Sequence, residues 1–382
     1  MSSIKLSPII THIYLMVTEQ CNLRCQYCYI KNRDIKNEFP FEWMEKIKKM
    51  FTCYNKPRII FFGGEPLLKL DLIKRIVNEY NDDFQFQVVT NGTVNLHRFL
   101  TEIYEPNRTK FDIQLSWDGN NFTRKTVNGE ISNNIVYDNL LKELQAGYNF
   151  EGRCVLDDIS VKSFYNTYLT FKKLHKDYKF SGDFTIAHQL CFSKDYAKNL
   201  FNELTLIYQD IKKSLLTKDI FIPRTIFKYI SNILENESVV SCDVGNYVVI
   251  KPNGDVYPCT ILSQIDEIFK LGNINTSIDT ELINDLRYKS ACQKNCKFKS
   301  LCDGGCRYER IKNFKDTWCK DICLHTCDIT EAIFNATTTF IQNLTNEENE
   351  VLMKKIFDYN MWSINYINRP ETIDNQKRLI SI

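Results

Sequence analysis

The chain has 382 residues, 43% of them hydrophobic and 25% charged, with 49 basic against 47 acidic side chains. At about 150 residues per domain that length gives two or three domains with room for a buried core, and the charge balance argues against a polybasic nucleic-acid binder. No apolar run approaches the roughly 18 residues needed to cross a bilayer. The opening MSSIKLSPIITHIYLMV lacks a basic n-region and a small-residue cleavage site. A cytosolic globular protein with no membrane or nucleic-acid partner is expected.

From residue 12 to about 190, strand-like and helix-like segments alternate. Short runs rich in Val, Ile, Phe and Tyr predict strands at 12–17, 58–62, 84–90, 110–116, 153–156 and 183–188. Helical stripes lie between them: Met44, Ile47 and Phe51; Leu72 or Ile73 with Ile76 and Tyr80; Leu140 and Leu144; then Phe164, Tyr168, Phe171 and Leu174. Six βα units in series imply an α/β fold whose parallel sheet curls into a partial (β/α)6, TIM-like barrel over residues 1–195. Residues 196–241 read as a helical bridge, with Leu200, Leu204, Ile207, Ile211 and Leu215 on one face. Residues 242–330 are loop-rich, with one hairpin expected at 247–251 and 256–259 around the turn Pro252-Asn253-Gly254-Asp255. Such a segment has a thin core, so metal ligation is the expected source of its stability. Residues 331–382 form a tail, helical to about 365 and frayed over its last fifteen or so residues.

Fifteen cysteines stand apart from this ordinary composition: the number is odd, and a chain of this length folds without disulfides. Nine lie between Cys242 and Cys327 and three between Cys21 and Cys28. In a reducing compartment such groups read as metal or cluster ligands before disulfides. Cys21, Cys25 and Cys28 follow the first strand in CxxxCxxC spacing. That spacing can ligate three irons of a [4Fe–4S] cube and leave the fourth iron open to a substrate or cofactor. The alternative is a zinc site, which in structural form takes four protein ligands. In a parallel barrel this loop lies at the C-terminal ends of the strands, where active sites collect.

The segment CNLRCQYC resembles the signature of radical S-adenosylmethionine (SAM) enzymes, CxxxCx(aromatic)C, with Tyr27 as the aromatic residue. Phe61-Phe62-Gly63-Gly64-Glu65-Pro66 follows at the end of the second strand and is similar to that family's GGE motif. The resemblance implies that Gly63, Gly64 and Glu65 receive the methionine amino group of SAM. Glycines allow close backbone approach, and a carboxylate suits an ammonium. Thr90-Asn91-Gly92 resembles the family's TNG, placing Asn91 among the SAM contacts. Ser116-Trp117-Asp118-Gly119 resembles its SLDG, whose serine meets the SAM ribose or carboxylate. Arg124 is the implied carboxylate-binding arginine, with Lys125 as its rival because the spacing is shorter than in the family. His188, at the end of the sixth expected strand, is a candidate to face the substrate, or else an ordinary exposed or satisfied histidine.

The second field reads Cys242-x11-Gly254-x4-Cys259, then Cys292-x3-Cys296-x5-Cys302-x3-Cys306, then Cys319, Cys323 and Cys327. It is similar to the SPASM extension of radical SAM enzymes, which carries two auxiliary iron–sulfur clusters. It departs from that pattern in the x3 after Cys292 and in the crowded tail. The resemblance implies that Cys242, Cys259 and Cys306 serve the first auxiliary cluster, and that Cys292, Cys296, Cys302 and one tail cysteine, Cys323 by its gap, serve the second. Cys319 or Cys327 then completes the first cluster, or that cluster keeps an open iron; His325 is a further candidate ligand. A pair of zinc knuckles is the alternative. Cys53, Cys154 and Cys191 read as small apolar core residues.

The resemblance implies three [4Fe–4S] clusters and SAM as cofactors, and an oxidoreductase that uses a 5′-deoxyadenosyl radical. Auxiliary clusters able to take up an electron favour net two-electron oxidation. Proteins with this layout mostly modify peptides, so thioether or carbon–carbon cross-linking of a ribosomally made precursor is expected. Formylglycine formation, as in anaerobic sulfatase maturases, is the alternative. There an Asp base follows the cysteine matching Cys259, whereas Thr260 follows it here. A reductant such as a flavodoxin or ferredoxin is the implied partner. With the first strand near residue 12, any leader peptide is expected to meet the barrel or a separate binding protein. A non-catalytic iron–sulfur carrier or sensor is the reading from another class, and the GGE motif speaks against it.

Overall fold

The computed structural model describes residues 10–51, 56–188, 190, 192–217, 220–235, 242, 244–265, 267–279, 281–284, 298, 302, 305, 306, 308 and 322–367. Six strands alternate with helices: β1 (His12–Thr18), α1 (Met44–Phe51), β2 (Arg58–Gly63), α2 (Leu70–Tyr80), β3 (Gln85–Thr90), α3 (Leu96–Phe99), β4 (Phe111–Ser116), α4 (Asn133–Gln145), β5 (Glu151–Leu156), α5 (Phe164–Tyr178) and β6 (Ser181–Ile186). All five pairings from β1 to β6 are parallel, between neighbours in sequence. Alternation along β1 separates two layers. Ile13, Leu15 and Val17 join the core shared with Ile47 of α1 and Ile73 and Ile76 of α2, while Met16 faces a second, smaller apolar cluster. Phe61, Phe86 and Phe111 stack across β2, β3 and β4 with centroids 5.7 Å apart at each step. Each such ring contributes about 1.5–3 kcal/mol on burial.

The sheet continues past β1. Strand β7 (Tyr247–Ile250) pairs parallel with β1, His12 opposite Tyr247 and Leu15 opposite Ile250, and β8 (Asp255–Tyr257) and β9 (Gly272–Asn273) follow antiparallel. The order is β6-β5-β4-β3-β2-β1-β7-β8-β9, an unclosed sheet. The expected hairpin is present. Gly254 sits at φ +82°, and a Cβ there would lie 2.8 Å from the Trp43 ring, so both backbone angle and packing require glycine.

One expectation is corrected: strand β6 ends at Ile186, so His188 lies two residues beyond it. The helical bridge is two helices, α6 (Tyr196–Ser214) and α7 (Arg224–Leu234), with Pro223 capping the start of the second. The tail is also two helices, α9 (Ile322–Gln342) and α10 (Asn346–Ile367), after the short α8 (Glu281–Asn284). Helix α9 lies along α6, where Tyr208 Oη and Thr337 Oγ1 are 2.6 Å apart and the Tyr208 and Phe340 rings stack at 4.8 Å. The stripe Leu200, Leu204, Ile207, Ile211 and Leu215 is fully buried, as its spacing predicts. Cys53, Cys191, Cys292, Cys296, Cys319 and the frayed end lie outside the described residues, as do the side chains of Cys323 and His325.

Candidate radical SAM site

The ends of β1 and β2 meet through glycine. Gly64 N–H donates to the Thr18 carbonyl at 2.9 Å and Glu65 N–H to the Gln20 carbonyl at 2.8 Å. A Cβ on Gly63 would lie 2.1 Å from the Thr18 carbonyl oxygen, and one on Gly64 2.0 Å from that of Gln20. The glycine pair therefore lets β2 close against the chain that enters the cysteine loop. Glu65 is 1% exposed and accepts from Leu67 N–H (3.0 Å), Thr90 Oγ1 (2.7 Å) and Asn91 N–H (2.8 Å). Its carboxylate faces internal donors and ties the ends of β2 and β3 together. Burial pushes it up to about 7, against the pull of those three donors and of Arg124.

Cys21, Cys25 and Cys28 are free thiols on a half-buried loop. Cys21 Sγ accepts from Leu23 N–H at 3.4 Å, with Asn91 Nδ2 at 4.0 Å, and Cys28 Sγ donates to the Ile30 carbonyl at 3.9 Å. Burial pushes the Cys21 thiol up to about 12 and also raises Cys25, so loading iron must displace protons. The loop is fastened on both flanks. Cys21 N–H donates to the Arg33 carbonyl (2.9 Å), Arg24 N–H to Lys125 (2.6 Å) and Gln26 N–H to Thr123 (2.9 Å). Asn91 Nδ2 donates to Asn22 Oδ1 at 2.9 Å, and Asn22 Nδ2 to Thr93 Oγ1 at 2.7 Å. Among the described residues no three His, Cys, Asp or Glu side chains already converge on one ion. Three soft sulfurs with amide donors around them nonetheless match the donor set of an iron–sulfur cube.

Behind this loop lies a network that sequence reasoning did not assemble. Tyr27 Oη donates to Asp118 Oδ2 at 2.6 Å, and Arg124 Nη1 donates to Tyr27 Oη at 2.6 Å and stands 3.6 Å from Asp118 Oδ2. Asp118 also accepts from Val155 N–H at 2.8 Å. Asp118 is 0% and Arg124 4% exposed, and Arg124 Nε has no partner among the described residues. Burial raises the Asp118 carboxyl and the Tyr27 hydroxyl, although Arg124 pulls both the other way. Arg124, expected from the resemblance to bind the SAM carboxylate, is a buried partner of Tyr27 and Asp118. Lys125 is half-buried and offers its carbonyl to Arg24. The one available signal for Asp118 was an acid six residues before an arginine on the same loop. Ser116 ends β4 half-buried, and Trp117, where the family has leucine, is buried with Nε1 donating to the Asn133 carbonyl at 3.1 Å.

The second apolar cluster joins the two cysteine fields. Met16, Phe62, Tyr257, Leu262 and Tyr308 pack there with Cys259, and Cys28, Cys242 and Cys306 lie against it. Tyr247 donates to the Cys259 thiol, and Tyr29, next to Cys28, hydrogen-bonds Thr260. Cys302 is elsewhere, with Sγ 3.9 Å from Thr330 Oγ1 of α9, and Cys327 is exposed on that helix. Cys154 is buried within β5. A cavity of about 900 Å³ opens at the N-terminal ends of the strands, lined by Tyr14, Tyr247 and the paired Arg58, Asp112, Glu151 and Arg153; none of Cys21, Cys25 and Cys28 lines it.

Comparison with known families agrees with this layout. The radical SAM superfamily model matches residues 15–167, and the SPASM model, an iron–sulfur cluster-binding domain, matches residues 242–323. The chain belongs to the radical SAM superfamily and carries a SPASM domain. The two domains make it an enzyme and imply SAM and iron–sulfur clusters. The chain is 23% identical over 287 residues to the GTP 3′,8-cyclase of Campylobacter jejuni subsp. doylei, covering 71% of this chain and 87% of that protein. Among solved structures, anSMEcpe with bound AdoMet and Cp18Cys peptide is similar at TM-score 0.69 and 22% identity, covering 87% and 99% of the two chains. Streptococcus suis SuiB bound to precursor peptide SuiA is similar at TM-score 0.55 and 14% identity, covering 82% and 76%. No described helix is long and apolar enough to cross a membrane.

Proposed function

We propose that this radical SAM/SPASM enzyme oxidatively modifies a peptide or small protein, with carbon–carbon or thioether cross-linking of a ribosomally made precursor as the reaction, and that it holds three [4Fe–4S] clusters in a reducing cytoplasm. The observation that carries this reading is the packing of Cys28 with Cys242, Cys259 and Cys306 about one apolar cluster. When bound, a reduced cluster and SAM supply a 5′-deoxyadenosyl radical able to take hydrogen from an unactivated C–H bond. Cys21, Cys25 and Cys28 would hold that cluster, with the Gly63–Glu65 backbone, Asn91, Ser116 and Tyr27 around SAM. Met16, Phe62 and Tyr257 keep water from the interval between the fields. Cys242, Cys259 and Cys306 would hold the first auxiliary cluster, on the side where an electron released by the substrate is taken up. Cys292, Cys296, Cys302 and a residue of the Cys319, Cys323, Cys327 tail would hold the second. The likeness to the peptide complexes of anSMEcpe and SuiB supports a peptide substrate.

Formylglycine formation fits less well, because Thr260 stands where a carboxylate base is needed and is hydrogen-bonded to Tyr29. A second reading, a nucleotide substrate, is favoured by the likeness to GTP 3′,8-cyclase. Anaerobic co-expression with each short open reading frame beside the gene, followed by intact peptide masses, tests the first reading. Loss of two hydrogens from one peptide, located by fragmentation, is expected. Unchanged peptides, with the purified enzyme cleaving SAM and converting GTP, would replace it with the second.

A further inference from the structure

We propose that Arg124 is a positioning residue for redox: acting through the Cys25 sulfur, its buried positive charge sets the reduction potential of the cluster held by Cys21, Cys25 and Cys28, with Asp118 as the opposing charge. The proposal rests on the radical SAM reading above. Backbone register puts the charge in place. Leu23 bridges antiparallel to Thr126, Arg24 N–H donates to the Lys125 carbonyl at 2.6 Å, and Gln26 N–H donates to the Thr123 carbonyl at 2.9 Å. In that register Cys25 stands directly opposite Arg124, at the position of a pair that exchanges no hydrogen bonds. Such pairs bring two Cα atoms to about 4.5 Å with their side chains on one face.

The charge is incompletely compensated. Arg124 is 4% exposed, and its Nη1 donates at 2.6 Å to a neutral hydroxyl, Tyr27 Oη. Asp118 Oδ2 lies 3.6 Å from that nitrogen, outside hydrogen-bond range, and takes the Tyr27 proton at 2.6 Å instead. Arg124 Nε has no partner among the described residues. A buried guanidinium is best satisfied by a carboxylate met face to face, so this arrangement disfavours the fold unless the charge serves something else. What it serves is Cys25. Arg124 acts on that thiol more strongly than any other charge, Asp118 opposes it, and Arg33, which donates to the Cys25 carbonyl at 3.3 Å, does so from a half-buried side chain that water screens. Cluster potentials follow local charge and groups outside the ligand set. Reduction adds one negative charge to a cube already held by thiolates, so a fixed cation favours the reduced form and a fixed anion the oxidised form. Cys25 packs with Tyr27 on the outer core, whereas Cys242, Cys259 and Cys306 belong to the inner apolar cluster. The auxiliary clusters therefore serve as an internal reference.

The test is a potentiometric titration of the full-length, cluster-loaded enzyme with dithionite and redox mediators, followed by electron paramagnetic resonance without SAM. The component to follow is the one whose signal changes when SAM is added to a parallel sample. Arg124→Met is expected to make that cluster about tenfold harder to reduce, a midpoint lower by about 59 mV. Asp118→Asn is expected to raise the midpoint, and Arg124→Lys, which keeps the charge, to leave the reduction equilibrium within about threefold of the parent. The auxiliary midpoints stay at their parent values in all three variants. Opposite shifts in the Met and Asn variants report charge, because a merely loosened loop would move both the same way. If Arg124→Met does not load iron, Asp118→Asn and Arg124→Lys still decide the matter. An unchanged or lowered midpoint in Asp118→Asn would overturn the proposal, as would a tenfold loss in Arg124→Lys. A parent-like midpoint in Arg124→Met with SAM affinity lost would overturn it too and make Arg124 a SAM ligand. A parent enzyme with no SAM-responsive signal would remove the radical SAM reading, and this proposal with it.

Discussion

Replacing Arg124 separates two roles that its sequence position leaves open. Its guanidinium contacts Tyr27 Oη at 2.6 Å and lies 3.6 Å from Asp118, both buried. Arg124→Met therefore strands a carboxylate with 0% exposure, and breaking a buried pair by removing one partner costs about 3–5 kcal/mol. For a barrel of this size that corresponds to a melting transition lower by about 6–20 °C. Asp118→Asn in the same background should restore most of the loss. The amide oxygen can still accept from Val155 N–H, its NH2 can donate to Tyr27 Oη, and no charge is left buried. Thermal unfolding of the cluster-free protein, followed by circular dichroism, reads this directly, and SAM binding is measured in parallel on loaded protein. A parent-like transition in Arg124→Met, with SAM affinity lost, would refute the reasoning and return Arg124 to the role of an open SAM ligand.

Glu65 gives a pH signature. Its carboxyl is raised to about 7, so between about 4.5 and 7 the native state holds a proton that the unfolded chain has released. Its contribution to stability is fully present below about 4.5 and falls by about 3 kcal/mol as pH rises to about 7; urea unfolding at stepped pH should show this slope, and Glu65→Gln should lack it. Gly64→Ala places a Cβ 2.0 Å from the Gln20 carbonyl oxygen and shifts the entry to the cysteine loop. A displacement of that order should lower SAM cleavage about a hundredfold, with auxiliary-cluster absorbance retained. Cys25→Ala should abolish SAM cleavage in reconstituted protein, whereas Cys242→Ala should keep cleavage and lose the oxidised product, as product masses and 5′-deoxyadenosine yield will tell.

Much of the barrel was legible because its signals are local. Runs of β-branched and aromatic residues marked each of the strands β1 to β6, and the stripe from Leu200 to Leu215 marked a buried helical face. The helix break before Arg224 was signalled by Pro223 but outweighed by the apolar spacing on either side. The pairing of β7 with β1 left no local mark, because parallel pairing across more than two hundred residues is decided by the surrounding tertiary structure and not by strand pattern. Within the site, residue types were legible and orientations were not. A carboxylate beside two glycines suits an ammonium equally well whether it faces a ligand or, as Glu65 does, three internal donors. An arginine on a polar loop gives no notice that Asp118 and Tyr27 will enclose it.

The β1–β7 pairing bears directly on the chemistry. The loop of Cys21, Cys25 and Cys28 leaves the end of β1, after Thr18, while the β7–β8 hairpin turns back and brings Cys259 to the level of Tyr247, opposite His12 at the strand's start. At about 3.3 Å per residue, those two levels are roughly 20 Å apart along one hydrogen-bonded strand. Met16, Phe62 and Tyr257 occupy the interval. On the proposed reading, radical-forming chemistry lies toward one end of this strand pair and the electron acceptor toward the other, and a sheet holds the two levels apart. Weakening the β1–β7 register, for example with Val248→Pro, which removes a ladder donor facing β1, should therefore uncouple the two activities. SAM cleavage would continue while the yield of oxidised product per 5′-deoxyadenosine falls.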